Sequence, residues 1–168
     1  MTHTTAVFTL TAAIALNVGA TAQQVTGHAQ HLDARGKQVM GFDQQKTTHH
    51  FLLFEDGGAI DVSVKDQADK TNLDAIRSHL PHIAKLFSEG NFEAPMLVHD
   101  RKDVPGTKDL ARLKEAVRYT YAQTLSGGRV DIVTTNKDAL TAVHTFLKFQ
   151  IEDHQTGDKL TAAKRRGK

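Results

Sequence analysis

The sequence predicts an α+β fold: two β-hairpin–helix units forming a mainly antiparallel sheet of four to five strands, with two helices packed on one face. Three observations carry that reading. Residues 47–64 (TTHHFLLFEDGGAIDVSV) and 116–135 each set two apolar runs around a glycine pair, as hairpins do. Each is followed by apolar residues at helical spacing behind an asparagine. The two halves also match. Gly57-Gly58-Ala59-Ile60-Asp61-Val62 parallels Gly127-Gly128-Arg129-Val130-Asp131-Ile132, and Asn72-Leu73-Asp74-Ala75-Ile76 parallels Asn136-Lys137-Asp138-Ala139-Leu140. This reads as an internal duplication over 47–90 and 116–154, or as the likeness that glycine-turn hairpins share by chance.

Taken in order, residues 1–22 read as a signal peptide. Residues 6–18 are weakly apolar and contain no Asp, Glu, Lys or Arg, and Ala20-Thr21-Ala22 is a small-x-small cleavage pattern. The run before it has no Lys or Arg, and is too short to span a bilayer. The mature chain is expected to begin at Gln23, in the periplasm or secreted. Residues 23–37 are polar, lack sustained periodicity and are expected to form a flexible arm ahead of a single domain over 38–158. Residues 39–42 are a candidate short strand.

In the first hairpin, an Asp56-Gly57 turn pairs Leu53 with Ile60, and a Gly57-Gly58 turn pairs it with Val62. Side chains alternate along a strand, so either register puts His49, Phe51 and Leu53 on one face with Ile60, Val62 and Val64. His50, Leu52 and Phe54 take the other. Asn72 is the expected N-cap of a helix reaching about Ser88, with Leu73, Ile76, Leu80, Ile83 and Phe87 as its apolar stripe. Pro81 lies inside it, offers no N–H to the carbonyl of Arg77, and predicts a kink. Residues 92–99 (FEAPMLVH) read as extended, ahead of the breaker Val104-Pro105-Gly106. Thr107 is placed to cap a short helix through Leu113. A second hairpin turns at Ser126-Gly127-Gly128. Asn136 then caps a last helix whose inner face carries Leu140, Val143, Leu147 and Ile151. Residues 159–168 hold five Lys or Arg and no acid, a basic tail expected to be disordered.

With 168 residues, 39% of them hydrophobic, the chain suits one domain with an aliphatic core. A net charge of +2 is too small to argue for nucleic acid. No membrane span is expected. On the outer sheet face, Leu52 and Phe54 stand beside Arg118, Thr120, Asp131 and Val133. The arm, the 92–99 segment or a second copy of the chain, making a homodimer through Leu52 and Phe54, are candidates to cover it.

The chain contains no cysteine and ten histidines. Disulfides and thiolate chemistry are therefore excluded, and a soft metal would be held by histidine and methionine. No His-Glu-x-x-His, phosphate loop, dinucleotide fingerprint or Gly-x-Ser-x-Gly elbow occurs, so no nucleotide cofactor is expected. His28 with His31, and His79 with His82, stand three residues apart, one side of a helical turn. His49 faces the helices, His79 flanks the first helical stripe, and His99 ends the segment that carries Met96. The expected metal site is therefore His49, His79, Met96 and His99, with His50, His82 and His154 as further candidates. Nitrogen and thioether donors suit copper, or zinc with water or a carboxylate in place of Met96. The competing reading makes these core-edge imidazoles and core filler. Two other functions stay open: a non-catalytic interaction module, and a small metal-dependent hydrolase or transferase.

Met40-Gly41-Phe42-Asp43, Thr47-Thr48-His49-His50-Phe51, Phe92-Glu93-Ala94-Pro95-Met96 with His99, and residues 149–154 with Thr156-Gly157-Asp158 together resemble a family of small exported bacterial proteins. Some of these carry the name aspartate carbamoyltransferase. The resemblance covers about 37–158 and implies export, but brings no catalytic residues. The chain has neither the Ser-Thr-Arg-Thr-Arg loop nor the βαβ alternation of that transferase.

Overall fold

A computed structural model describes residues 19–165. In order these form helix α1 (Gly19–Met40), strands β1 (Thr47–Phe54) and β2 (Gly57–Val64), and helices α2 (Lys70–Ser88), α3 (Glu93–His99) and α4 (Thr107–Arg112). Strands β3 (Arg118–Thr124) and β4 (Gly127–Val133) and helix α5 (Lys137–Asp153) complete the chain. The four strands make one antiparallel sheet in the order β1-β2-β4-β3. This is the predicted α+β class, with both long helices on one sheet face.

The units interlock. Helix α2, which follows the first hairpin, lies chiefly over β3 and β4, while α5 lies over β1 and β2. One apolar cluster results, with Phe51, Ile60, Val62, Val130 and Ile132 from the sheet facing Leu80, Ile83, Phe146 and Leu147 from the helices. The central pairing of β2 with β4 is symmetric about Ile60–Val130, so that Gly57 opposite Val133 has its counterpart in Gly127 opposite Ser63. Two like units turned half a revolution about the sheet centre give this register.

The face assignment of the first hairpin is as predicted, but its turn is not. Phe54 pairs with Gly57 and Thr124 with Gly127, so Glu55-Asp56 and Leu125-Ser126 make the turns. The glycines lie in the strands, where a Cβ on Gly57 would collide with the carbonyl of Ile132 and one on Gly127 with that of Val62. They permit close approach of β2 and β4 instead of forming the turn, and Gly57 does so at φ 142°, a conformation side chains rarely adopt.

Several loops also differ from expectation. Residues 23–37, read as an arm, are helical; beyond Ala29, where side chains are described, Leu32 and Gly36 are the buried positions of α1. Residues 39–42 close that helix instead of forming a strand. The 92–99 segment is helical, not extended. Pro95 falls in the first turn of α3, where a missing N–H is harmless, and Asp100 at φ 50° ends the helix. Asp69, not Asn72, caps α2, accepting the Asn72 N–H at 3.1 Å. Asn72 instead accepts the N–H of Asp43 at 2.8 Å. Gly106 rather than Thr107 precedes α4, whereas Asn136 caps α5 as predicted.

The expected disordered tail is laid down as far as Arg165. Asp158 accepts the N–H of Phe51 at 2.9 Å, and Ala163 exchanges backbone bonds of 3.1 and 3.0 Å with Leu53 and Glu55. These contacts close the free edge of β1. The Arg165 guanidinium sits 4.3 Å over the Phe54 ring and pairs with Asp56 and Asp131. Arg129 covers the same ring at 5.6 Å. The chain itself thus covers the apolar patch for which a second copy was a candidate. The leader lies largely outside the described residues, and its expected cleavage point at Ala22 falls in the first turn of α1.

Candidate ligand cavity

Four elements deliver imidazoles to one place. His49 lies on the inner face of β1, opposite Val62. His79 stands on the flank of α2 beside the buried Leu80. His99 ends α3, whose last turn is held by the Arg35 guanidinium donating to the Val98 carbonyl at 2.8 Å. His154 is the C-cap of α5. All four line a cavity of about 70 Å³, together with Met40, Phe42, Phe51, Phe87, Phe146 and Gln150. Apart from the imidazoles and Gln150 its walls are apolar.

The rings are ordered by contact. His49 stacks on Phe42 at 5.6 Å and 23°, and His79 meets the same phenyl edge-on at 5.8 Å. His154 lies 6.0 Å and 12° from His49, and 5.0 Å and 83° from His99. His49 and His154 also line a second, polar cavity with Asp33, Thr47, Thr48, Lys65 and Asp153. This pair of imidazoles therefore partitions an apolar space from a polar one.

Electrostatics divides the histidines. Burial, with smaller contributions from His79 and His50, pulls the His49 pKa down to about 4. Burial, then His82, does the same for His79, again to about 4. Both rings are neutral at pH 7. The side chain of His99 is 1% exposed, and its Nδ1 lies 2.6 Å from the Asp153 carboxylate. Its Nε2 lies 3.0 Å from Oε1 of Gln150. Two side-chain atoms of these residues are left over. Nε2 of His49 and the amide nitrogen of Gln150 are sealed from solvent and have no hydrogen-bond partner among the described residues.

Of the seven candidate metal ligands, His49, His79, His99 and His154 come together and Met96, His50 and His82 do not. Met96 is partly buried against the core but does not line the cavity. Met40 supplies the thioether there instead. His50 is on the outer face, 2.9 Å from Asp158, and His82 is exposed. His31 is exposed on α1, and the side chain of His28 lies outside those described. Both nitrogens of His99 are occupied, and His49 and His154 present faces, not nitrogens, to one another. Among the described residues no three His, Asp or Glu are gathered as an ion would need. The expected four-residue sphere is therefore not assembled.

Sequence reasoning missed Gln150 and Met40. A signal existed for Gln150, a polar residue one turn beyond Phe146 and Leu147 on the inner stripe of α5. Asp153, also on α5, serves His99 from another helix as an orienting partner. No family model, curated protein or solved structure matches the chain. The motif resemblance accordingly carries no residue roles into this cavity. No described helix is long and apolar enough to cross a membrane.

Proposed function

We propose that the protein binds a small, largely apolar organic molecule in the cavity between the sheet and helices α2, α3 and α5. The observation that carries this reading is the cavity itself, walled by Met40, Phe42, Phe51, Phe87 and Phe146 and apolar but for its imidazoles and Gln150. A molecule burying about 250 Å² of apolar surface gains about 6 kcal/mol before the losses of association. That suits micromolar binding. Export, expected from residues 1–22, belongs to the same proposal and predicts a mature N-terminus at Gln23, read by the intact mass of protein recovered from the periplasm or medium.

The test is titration with 2-methylnaphthalene, followed by calorimetry or by its own fluorescence. Wild type is expected to bind with a Kd on the order of 10–100 μM. Ala94→Phe, which fills the cavity from α3, is expected to abolish binding while leaving the protein folded. Wild type that shows no binding up to the solubility limit, or unchanged binding in the filled variant, overturns the proposal.

A second reading keeps the metal, because His49, His79 and the thioether of Met40 line the same cavity and both rings are unprotonated at pH 7. Two imidazoles and a thioether suit copper(I) better than zinc. Anaerobic titration of untagged protein against a chromophoric copper(I) chelator separates the readings. Stoichiometric copper lost in His49→Ala but kept in Met96→Leu favours the ion; no uptake leaves the organic ligand alone.

A further inference from the structure

The sheet has two edges, and the chain treats them differently. At the ends of β4 the Ser126 carbonyl accepts from the Val64 N–H, and the Thr134 N–H donates to the Asp56 carbonyl. Alternation along an antiparallel ladder then turns Gly127, Arg129, Asp131 and Val133 toward β3, opposite Thr124, Ala122, Thr120 and Arg118. The backbone N–H and C=O groups of Tyr119, Tyr121 and Gln123 point out of the sheet, and none has a partner among the described residues. On β1 the matching edge is closed: Asp158 and Ala163 take the backbone groups of Phe51, Leu53 and Glu55. That closing segment does not suit β3. Its anchor Arg165 pairs with Asp56 and stacks on Phe54, and the symmetry of the hairpins puts Ser126 and Thr124 in their places. Nor is β3 guarded as solitary edges are, by bulges, prolines or charges along their length. It pairs with β4 without a break, contains no proline, and has one charge, Arg118, at its end. The Tyr121 ring lies against Gly128 of β4, clear of the edge.

We propose that β3 is a docking edge whose partner is β3 of a second copy, so that two sheets join antiparallel across a two-fold axis at Tyr121. This edge is distinct from the face bearing Leu52 and Phe54, and its role does not depend on the cavity. In that frame Tyr121 meets the partner's Tyr121, Tyr119 meets the partner's Gln123, and every outward N–H finds a carbonyl. A shift of frame either way leaves one of the three residues out. The same frame sets Arg118 against the partner's Thr124, so the one charge of the strand never faces itself. A contact confined to one strand on each side is small, so the dimer is weak, with a Kd on the order of 10–100 μM.

Sedimentation equilibrium of the mature protein, from about 5 μM to about 1 mM, is expected to show the mass rising from one chain to two and no further. Amide hydrogen exchange, read residue by residue, is expected to slow at Tyr119, Tyr121 and Gln123 as concentration rises, and to stay unchanged at Thr120 and Ala122, whose N–H groups already bond β4. Gln123→Pro removes an outward N–H from each copy and leaves the β4 ladder intact. It is expected to weaken the dimer about 30-fold, the loss of two modest hydrogen bonds. Should that variant fail to fold, Thr120→Lys, which sets two ammonium groups diagonally across the axis, is expected to weaken the dimer about tenfold. The exchange pattern of wild type needs no variant. A single chain at about 1 mM, or a mass that grows beyond two chains, overturns the proposal. So does a dimer that survives these substitutions and leaves the three amides exchanging freely, since it lies on another surface.

Discussion

At the scale of residues, His49 and His79 are the rings whose protonation the fold opposes, and burial is the main cause for each. An unfolded histidine titrates near pH 6.5, these two near 4. Between those values the unfolded chain binds more protons than the folded one, so stability falls as the solution is acidified and is fully present only above about pH 7. The loss amounts to about 3 kcal/mol for each ring by pH 4. Asp43 and Asp69, whose pKa values are lowered by hydrogen bonds, add their own loss below that window. Urea midpoints of the metal-free protein at pH 7.5, 6 and 5 are expected to decline in that order, and His79→Leu to flatten the decline by about half. An equal decline in wild type and variant would show that His79 is not a source of it. The positions of these rings were legible because alternation along β1 fixes the face of His49 and the stripe of α2 fixes the flank of His79. The partners of His99 were not. Asp153 and Gln150 lie more than fifty positions away in sequence, and only the docking of α3 under α5 brings them within 3.0 Å.

Glycines mark the elements that matter most to the sheet. Gly57 and Gly127 hold equivalent places, each under a carbonyl of the neighbouring central strand, and neither makes a turn. A methyl group at Gly127 cannot be met by a flexible side chain moving aside, since its neighbour is the Val62 backbone. Gly127→Ala is therefore expected to lower stability by about 3 kcal/mol, the upper range of overpacking. Leu125→Ala, two residues away at the tip of the same hairpin and 82% exposed, is expected to change it by less than about 0.5 kcal/mol. Chemical unfolding of the two variants makes the comparison, and similar losses would mean that the tip, not the strand pairing, limits the hairpin. The same positions show why element type was readable and detail was not. Glycine pairs between apolar runs indicate a hairpin in either register, but whether they bend the chain or admit a neighbour depends on β4, far along the sequence. Residues 92–99 were misjudged because proline suits both an extended segment and a first helical turn. Residues 23–37 were misjudged because, among the described side chains of α1, the buried positions are Leu32 and a glycine, too little for a hydrophobic period.

For the whole molecule, the crossing of α2 and α5 over each other's hairpins means that neither unit can bury its sheet face alone. Folding is therefore expected to be a single cooperative event despite the duplicated plan. What this core leaves open is the outer edge of β1, a row of backbone groups that another strand could join. The chain closes it with residues beyond α5. Asp158 takes the Phe51 N–H, Ala163 pairs with Leu53 and Glu55, and Arg165 ties the far end to Asp56 and Asp131 over Phe54. Composition alone could not reveal this, because a run of Lys and Arg reads the same whether solvated or pinned to two carboxylates across a sheet. Removing residues 158–168 would break three hydrogen bonds to the backbone of Phe51, Leu53 and Glu55 and take Arg165 away from Asp56 and Asp131. At about 1 kcal/mol for each bond, the truncated chain is expected to lose about 3 kcal/mol. It is also expected to self-associate through the bared edge, with an elution volume in size-exclusion chromatography that falls as concentration rises. Asp158→Ala with Arg165→Ala, which keeps the segment but removes its side-chain anchors, should give an intermediate loss. A truncated chain that elutes as wild type does, at the wild-type stability, would mean that β1 is protected by its own twist and charge, and that the last residues lie on it without holding it.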